Sequence, residues 1–420
     1  MAYGTKGQVV RLYAESALGT QGSEIGEIRY NECSIKFEEK QASEQSNLGH
    51  MHWGNVTDRP IRYNGVMPDA VSLSLAMRSG LAATNKPVIM TILEASGCAA
   101  LTSTADTVAT PGTGTFIATG GAQTVGTVVG MELPTKGFYP SLIANNTAKT
   151  ITPMMDLPEQ SGAAGKICKM FTVYPSNSAA GATDTLQVAK YTRGIHTTAP
   201  DLCITAAGCG LSKVESIVIE PSKPVELKAT LHATSVAMSA VALPVETFVD
   251  SQKYQVVGSG FEFGFAPSVV AGEGGITYAT APILKAEINL GLSGVPIPGE
   301  GAVSCVNGVQ GYWTNITAPS VTITRVYANT AQLLVWNATN ADLPWYMHFV
   351  QPSANTSNPM WGLFCPQCYL SGPPQVDFTG ADYIIQTETY TMSTGRLNAT
   401  ADTEDGVASA PWFFAIGLPA

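Results

Sequence analysis

The sequence predicts a mainly β chain made of two tandem β-sandwich or β-barrel domains, with a short helix flanking the first. Hydrophobic residues make up 45% of the 420 positions, so the chain has enough apolar surface for a sizeable core. Charged residues make up only 13%, compared with roughly 25% in a typical soluble domain. Long stretches of Ala, Glu, Lys and Leu are absent, and many segments alternate apolar with polar residues, which is the period of a β-strand.

Composition and charge exclude several classes of protein. No run of about 18 apolar residues occurs, so no transmembrane helix is predicted. Residues 1–7 contain no apolar stretch of the kind found in secretory signals, so no signal peptide is expected. With 22 basic and 32 acidic residues the net charge is −10. This charge excludes tight binding to nucleic acid that is driven by a net positive charge of the protein. Eight cysteines are too few for a disulfide scaffold in a chain of this length.

The N-terminal part predicts a long β-hairpin arm. A short strand is expected over Gln8–Tyr13, followed by a half-buried strand over Ile28–Glu38. Residues 39–58 are polar and aperiodic, and they predict a loop of about 20 residues, a length that usually serves a function. The alternating segment Ala70–Arg78 then predicts the returning strand of the arm.

One helix is predicted, from Pro87 to Gly97. Asn85 is suited to cap it, Pro87 fits its first turn, and apolar residues follow at helical spacing. Farther along, the segments Val214–Glu220 and Val225–Ala233 flank a turn that contains two prolines, and they predict a hairpin.

The stretch Pro244–Tyr254 predicts a linker, so the chain is expected to divide near residue 240 into domains 1–240 and 241–420. Strands are also expected at Lys166–Tyr174, Leu186–Tyr191, Leu284–Leu290, Val321–Tyr327, Ala331–Trp336, Trp345–Val350, Gly362–Leu370 and Tyr383–Met392.

A search for catalytic or metal-binding motifs finds little. The sequence has no nucleotide-binding glycine loop, no nucleophile elbow and no pair of histidines at helical spacing. Cys365 and Cys368 form a Cys-x-x-Cys motif, but strand and turn residues surround it rather than the strand and helix of a redox site, so buried cysteines are the favoured interpretation over redox or zinc chemistry. His50 and His52 are better explained as solvated or interfacial residues than as metal ligands. We therefore expect no enzyme activity, no metal and no cofactor.

The order of elements resembles that of the tail tube protein, or major tail protein, of long-tailed bacteriophages. The features that carry the resemblance are the opening segment Gly7–Glu15, the arm with its loop at Glu38–Arg62, the strand Ala70–Arg78 leading into a single helix, and the closing stretch Leu363–Pro374 followed by a last strand. The chain is about twice the length of the single-domain members, so it is similar to the double-domain variant.

The resemblance implies a structural virion protein without catalytic residues. In that family the sheets join around a ring and line a central lumen, and the rings stack into a tube that conducts double-stranded DNA during ejection. For the double-domain variant it implies a ring of three chains with six domains, made in the host cytoplasm and located in the virion tail. The implied partners are further copies of the chain, a tape measure protein and tail-end proteins, with no membrane.

Two sets of residues are candidates for that function. The polar loop is expected to make the contact between rings, and its candidate residues are Glu39, Gln41, Gln45, Asn47, His50, His52 and Asn55. Alternating charges on two strands are candidates for the lumen or the outer face, at Glu226, Lys228, Lys285 and Glu287. An acidic lumen would repel phosphate and keep DNA sliding.

Two other functions fit the same composition. One is a capsid decoration protein or another β-rich virion protein. The other is a secreted carbohydrate-binding or adhesive β-sandwich, in which Trp313, Trp345 and Trp361 would stack on sugars. The absence of a predicted signal peptide argues against the second.

Overall fold

A computed structural model describes residues 8–30, 32–36, 41–43, 60–62, 66–121, 123–176, 185–193, 201–251, 257, 260–267, 279–280, 283–299, 308–326, 344–377, 384–394 and 407–419. Within these residues the protein is mainly β, with one short α-helix, α1 (Val88–Glu94). The predicted fold class, β-sandwich or β-barrel units with a flanking helix, is confirmed. The predicted strand at Ala331–Trp336 lies outside the described residues.

The first sheet has ten strands among the described residues. They are β1 (Gln8–Ala17), β2 (Thr20–Ile28), β3 (Glu32–Ile35), β6 (Met67–Ala76), β15 (Leu186–Thr192), β16 (Leu202–Val214), β18 (Glu226–Ala233), β19 (Ser235–Ala240), β23 (Leu292–Pro298) and β24 (Val309–Ile316). The main path runs β2-β1-β15-β16-β18-β6-β3, all antiparallel, while β19 and the β23–β24 hairpin join it along β16.

In the same described part of the chain, the second sheet has twelve strands. They are β7 (Cys98–Thr102), β14 (Phe171–Pro175), β17 (Ile217–Ile219), β20 (Glu262–Pro267), β21 (Ala279–Thr280), β22 (Lys285–Asn289), β25 (Ser320–Val326), β26 (Trp345–Gln351), β27 (Met360–Leu370), β28 (Gln375–Asp377), β29 (Ile385–Met392) and β30 (Phe413–Gly417). Its central strands β26, β27 and β30 are buried along almost their whole length, because a hydrophobic core lies on each of their faces.

A closed barrel of six short strands is inserted between β7 and β14. Its strands are β8 (Asp106–Thr110), β9 (Phe116–Ala118), β10 (Val128–Leu133), β11 (Gly137–Thr147), β12 (Thr150–Pro153) and β13 (Lys166–Cys168). The insertion begins and ends at neighbouring positions, since Thr102 pairs with Phe171 where β7 meets β14. The strands β8 to β12 were not predicted individually, and residues 99–130 are rich in Thr, Ala, Gly and Val, a composition that gives only weak strand signals.

Two cores hold these layers together. The first core lies between the first sheet, α1 and one face of the second sheet, and it includes Leu12, Leu75 and Trp361. The second core joins the barrel to the opposite face of the second sheet, where Phe138 of the barrel packs in the same cluster as Phe413. Burying a large side chain of this kind contributes about 1.5–3 kcal/mol. The second sheet is therefore the middle layer of a three-layer structure.

The arm predicted near the N-terminus forms antiparallel pairs. β3 pairs with β6, with Ile35 opposite Val71, and farther out β4 (Gln41–Ser43) pairs with β5 (Pro60–Arg62). The two ladders are nested in sequence, as expected for one hairpin.

Two sequence predictions about local structure are wrong. The segments around Ile217–Ile219 and Glu226–Ala233 do not form a hairpin with each other, since β17 pairs with β22 and β18 pairs with β6 and β16. The side chain of Asn85 does not cap α1, whose cap residue is Pro87 without a side-chain cap hydrogen bond. In both places long-range pairing overrides the local pattern.

The stretch Pro244–Tyr254 was predicted to be a linker. Its described residues are held against the first sheet and its flanking residues by hydrogen bonds. The backbone N–H of Thr247 donates to the Glu27 carboxylate, and Val249 bonds to Glu27 and to Leu81 through the backbone. Strands from both sides of residue 240 share the two large sheets. The division into domains 1–240 and 241–420 stays a prediction, and residue 240 is not a boundary between sheets.

Candidate functional site

The four lumen candidates lie around one charged groove. Glu226 and Lys228 are on β18, while Lys285 and Glu287 are on β22, and β17 with its flanking residues connects the two strands. The groove has a volume of about 260 Å³ and is lined by Glu215, Ser216, Val218, Glu220, Lys223, Pro224, Glu226 and Lys228. The structure therefore brings together residues that the sequence placed on separate strands.

Hydrogen bonds connect the groove to β22 and to the first sheet. The Ser216 hydroxyl donates to the Glu287 carboxylate over 3.0 Å, and Glu287 lies 3.3 Å from the Lys285 ammonium group. The Ser74 hydroxyl donates to Glu226 over 3.0 Å. Ser74 is buried, whereas Glu226, Lys285 and Glu287 are partly exposed, which keeps their charges in contact with water.

The groove carries a weakly negative net charge. Beside the predicted residues it holds Glu215, Glu220 and Lys223, so four carboxylates face three ammonium groups. The hydrogen bond from Lys223, with the more distant charge of Lys285, lowers the pKa of Glu220, so that carboxylate stays ionised at neutral pH. Such a mixed and slightly negative surface offers no concentrated positive charge for phosphate.

Next to the groove, polar residues on one face of the first sheet are aligned in rows that run across neighbouring strands. Glu32, Ser74 and Lys228 stand opposite one another on β3, β6 and β18. The next row contains Ser72 and Thr230. The opposite face of the same strands belongs to the first core, so this sheet has one apolar and one polar face.

Four strands of the first sheet, β2, β3, β19 and β24, have a partner strand on one side only within the described part of the chain. β19 pairs only with β16, and β2 pairs with β1 and makes one further bridge, from Glu27 to Phe248. β19 contains no charged residue, and its positions 237–240 are exposed. Met238 on β19 exposes 51% of its surface, and the adjacent Leu202 and Val241 expose 39% and 44%. An uncharged, exposed edge strand is a site where another strand readily pairs.

A second groove, of about 510 Å³, lies between α1 and the strands β1 and β15. Lys86 and Glu94 form an ion pair of 2.5 Å at its rim. Glu15 also lines it, and burial raises the pKa of this carboxyl, while the N–H groups of Gly19 and Gly208 hold it by hydrogen bonds of 2.9 and 2.6 Å. These bonds tie β1 to the glycine bend of β16, which indicates a structural use of Glu15.

The loop candidates are mostly outside the described residues. This applies to Glu39, Gln45, Asn47, His50, His52 and Asn55. Gln41 lies on β4, opposite Arg62 of β5. The role of the loop between rings stays a prediction.

The tryptophans proposed for sugar stacking are not equivalent. Trp345 and Trp361 are buried, with 6% and 1% of their surface exposed, so the adhesive interpretation loses two of its three stacking residues. Trp313 is 59% exposed and stands opposite the exposed Val295 on the β23–β24 hairpin.

The described cysteines are all buried, at positions 33, 98, 168, 203, 209, 365 and 368. Among the residues that the structure places, no three or more His, Cys, Asp or Glu side chains are grouped so that they would hold a metal. In the same part of the chain no helix has the length and hydrophobicity needed to cross a membrane.

The chain was also compared with known proteins. No model of a protein family matches it, and no curated protein does.

Proposed function

We propose that the chain is a structural subunit of a virion that polymerises into stacked rings, and that these rings form a tail tube through which double-stranded DNA passes. The proposal starts from the resemblance to the tail tube protein of long-tailed bacteriophages. The observation that carries it is that one sheet ends in open edge strands, among them β2 and the uncharged β19. An interface between two different edges is heterologous, and copies joined in this way close into a ring when the rotation permits.

The chemistry of the exposed surface supports the same function. A conduit must let DNA pass without holding it, and the double helix carries one negative charge per roughly 1.7 Å of its axis. The net charge of −10 and the weakly acidic groove at Glu226 and Lys228 oppose phosphate binding. We assign the polar face of the first sheet to the lumen, with Lys285 and Glu287 at its border.

The proposal includes partners and location. Three chains would form a ring with six-domain pseudo-symmetry, and rings would stack through the loop at the tip of the arm. A tape measure protein and tail-end proteins would contact the tube in the virion tail, after synthesis in the host cytoplasm. Assembly, rather than catalysis, would be the function of the chain.

Negative-stain electron microscopy of the concentrated full chain tests the proposal. Stacked rings or tubes with an open centre support it, whereas a persistent monomer at every concentration overturns it.

A charge on the open edge tests the interface itself. Met238→Lys places an ammonium group on β19 and is expected to prevent ring formation while leaving the fold intact, because edge lysines block strand pairing. Ile117→Lys on the barrel is the matched control, since Ile117 is also partly exposed on a β-strand, and it is expected to assemble. Normal rings from Met238→Lys would refute the use of β19. Deleting residues 41–55 is expected to leave rings that no longer stack.

A further inference from the structure

Four sulfur-containing side chains lie on three neighbouring strands of the second sheet, in two cross-strand pairs. Met347 of β26 stands directly opposite Cys365 of β27, and Cys368 of β27 stands opposite Met392 of β29. Residues opposite each other in antiparallel strands project to the same face, with their Cβ atoms about 4.5–5.5 Å apart. We call Met347, Cys365, Cys368 and Met392 the sulfur cluster.

An irregularity in β27 puts both cysteines on one face. In a regular strand, residues three apart project to opposite faces. Here Trp345 and Met347, two residues apart on β26, pair with Cys368 and Cys365, three residues apart on β27, so β27 carries one extra residue as in a β-bulge. Pro366, which has no N–H for the ladder, lies within this bulge. The two thiols share a hydrogen bond as a result.

The backbone geometry favours an ion between the sulfurs over a bond between them. The bulge shortens the span between Cys365 and Cys368 to that of about two residues of extended strand, roughly 7 Å, whereas a disulfide needs Cα atoms about 4.4–6.8 Å apart. Strand pairing on both sides of the motif, at Phe364 with Phe413 and at Cys368 with Met392, opposes the backbone movement that would close this gap. Two sulfurs bound to one metal at about 2.3 Å each need only come within about 4.6 Å.

The surroundings of the cluster select the kind of ion. All four side chains are at most 3% exposed, and the apolar first core surrounds them. Thiolate and thioether donors prefer soft ions such as Cu(I), whereas carboxylate and water suit hard ions. A monovalent ion bound to one thiolate is neutral, which suits an apolar site, and the second thiol and the two thioethers are neutral donors.

We propose that the sulfur cluster is a binding site for one soft monovalent metal ion of the Cu(I) and Ag(I) class. One cysteine thiol loses its proton to solvent as its sulfur binds the ion, and no electron is transferred. Because all four ligands lie within the described strands of one chain, ion binding is independent of ring assembly.

The test titrates the purified full chain anaerobically, with Ag(I) in chloride-free buffer and with Cu(I) held by a chromophoric competitor. Wild type is expected to retain one ion per chain after gel filtration, measured by elemental mass spectrometry, with a sulfur-to-metal absorption band in the ultraviolet. Cys365→Ser with Cys368→Ser is expected to abolish retention. Cys98→Ser is the matched control, because Cys98 is a buried cysteine of the same core outside the cluster, and it should bind as wild type does.

Met392→Leu keeps the volume and the apolar character of the side chain and removes only the thioether, so it tests the site if the serine variants do not fold. It is expected to weaken binding roughly tenfold or more, since even an outer-shell change at a metal site has an effect of this size. The proposal is overturned if wild type retains no ion, if Met392→Leu binds as tightly as wild type, or if Cys98→Ser loses the ion as the serine variants do.

Discussion

The carboxylate of Asp250 accepts a hydrogen bond of 3.3 Å from the backbone N–H of Val88, the first residue of α1. Asp250 is 162 residues away in sequence, and it is 3% exposed. Arg78 and Arg29 are the charged groups that act on it. The segment predicted as a linker thus supplies the acceptor for the start of the helix, next to the strand ends of the first sheet.

The stability of the protein should depend on pH through Asp250. Burial raises the pKa of Asp250 to about 7, above its ordinary value of 3.8, although the Val88 N–H and the two arginines oppose this. The folded state then holds a proton that the unfolded state has lost, so this contribution is complete below pH 3.8 and disappears as the pH rises through 7. The difference corresponds to about 4 kcal/mol at most.

Asp250→Asn removes this titration and keeps a neutral side chain of the same shape. In urea unfolding measured from pH 4 to 8, the stability of wild type relative to Asp250→Asn is expected to fall as the pH rises. A constant difference between the two proteins would contradict the raised pKa of Asp250.

The titration of His348 should make the stability of the protein depend on pH in the opposite direction. It is fully buried on β26 among the rings of Tyr139, Tyr346 and Phe364, and burial lowers its pKa from 6.5 to about 3. Below pH 6.5 His348 binds a proton in the unfolded state but stays neutral in the folded state. Its contribution to the stability of the fold is therefore present above pH 6.5 and is lost as the pH falls towards 3.

The comparison with His348→Phe isolates this effect, because phenylalanine fits an aromatic site and does not titrate. Between pH 6.5 and 4, wild type is expected to lose stability relative to the variant. A ring proton of His348 that titrates near pH 6.5 in the NMR spectrum of the folded protein would refute the prediction. Because Asp250 and His348 act in opposite directions, the wild-type curve alone does not reveal either group.

Structural features that depend on local sequence patterns could be predicted, whereas contacts between residues distant in the sequence could not. The strands β22, β25, β26, β27 and β29 were predicted near their observed bounds, because alternation or a continuous apolar run is a local signal. The helix was predicted for the same reason. Its acceptor, Asp250, was not, since nothing in the local sequence connects residue 250 with residue 88.

The candidate site shows the same division. The charges of Glu226, Lys228, Lys285 and Glu287 were recognised from alternation, but the pairing of β17 with β22 that gathers them around one groove is long-range. The failed hairpin prediction has the same cause: β16, rather than β17, is the partner of β18, because the residues between them leave the first sheet and pair with the second.

The β23–β24 hairpin is attached to the first sheet through Tyr312. The hydroxyl of Tyr312 on β24 donates a hydrogen bond of 2.7 Å to the carbonyl oxygen of Gly208, at the point where β16 bends with a positive φ of 60°. Its ring covers Gly210 and stacks on His232, with the ring centres 6.0 Å apart. Tyr312→Phe removes only the hydrogen bond and is expected to reduce the free energy of unfolding by about 1 kcal/mol.

Two further variants make this prediction specific. A Cβ atom at Gly210 would lie 2.2 Å from the Tyr312 ring, so Gly210→Ala is expected to displace the ring and cost about 1–3 kcal/mol. Trp313→Phe changes the neighbouring side chain, which is 59% exposed, and is expected to stay within about 0.5 kcal/mol of wild type. Urea unfolding gives the three values, and hydrogen exchange should show faster opening of β23 and β24 in the first two variants. If Trp313→Phe destabilises the protein more than Tyr312→Phe, the exposed face of the hairpin, rather than the Tyr312 contact, holds it to the sheet.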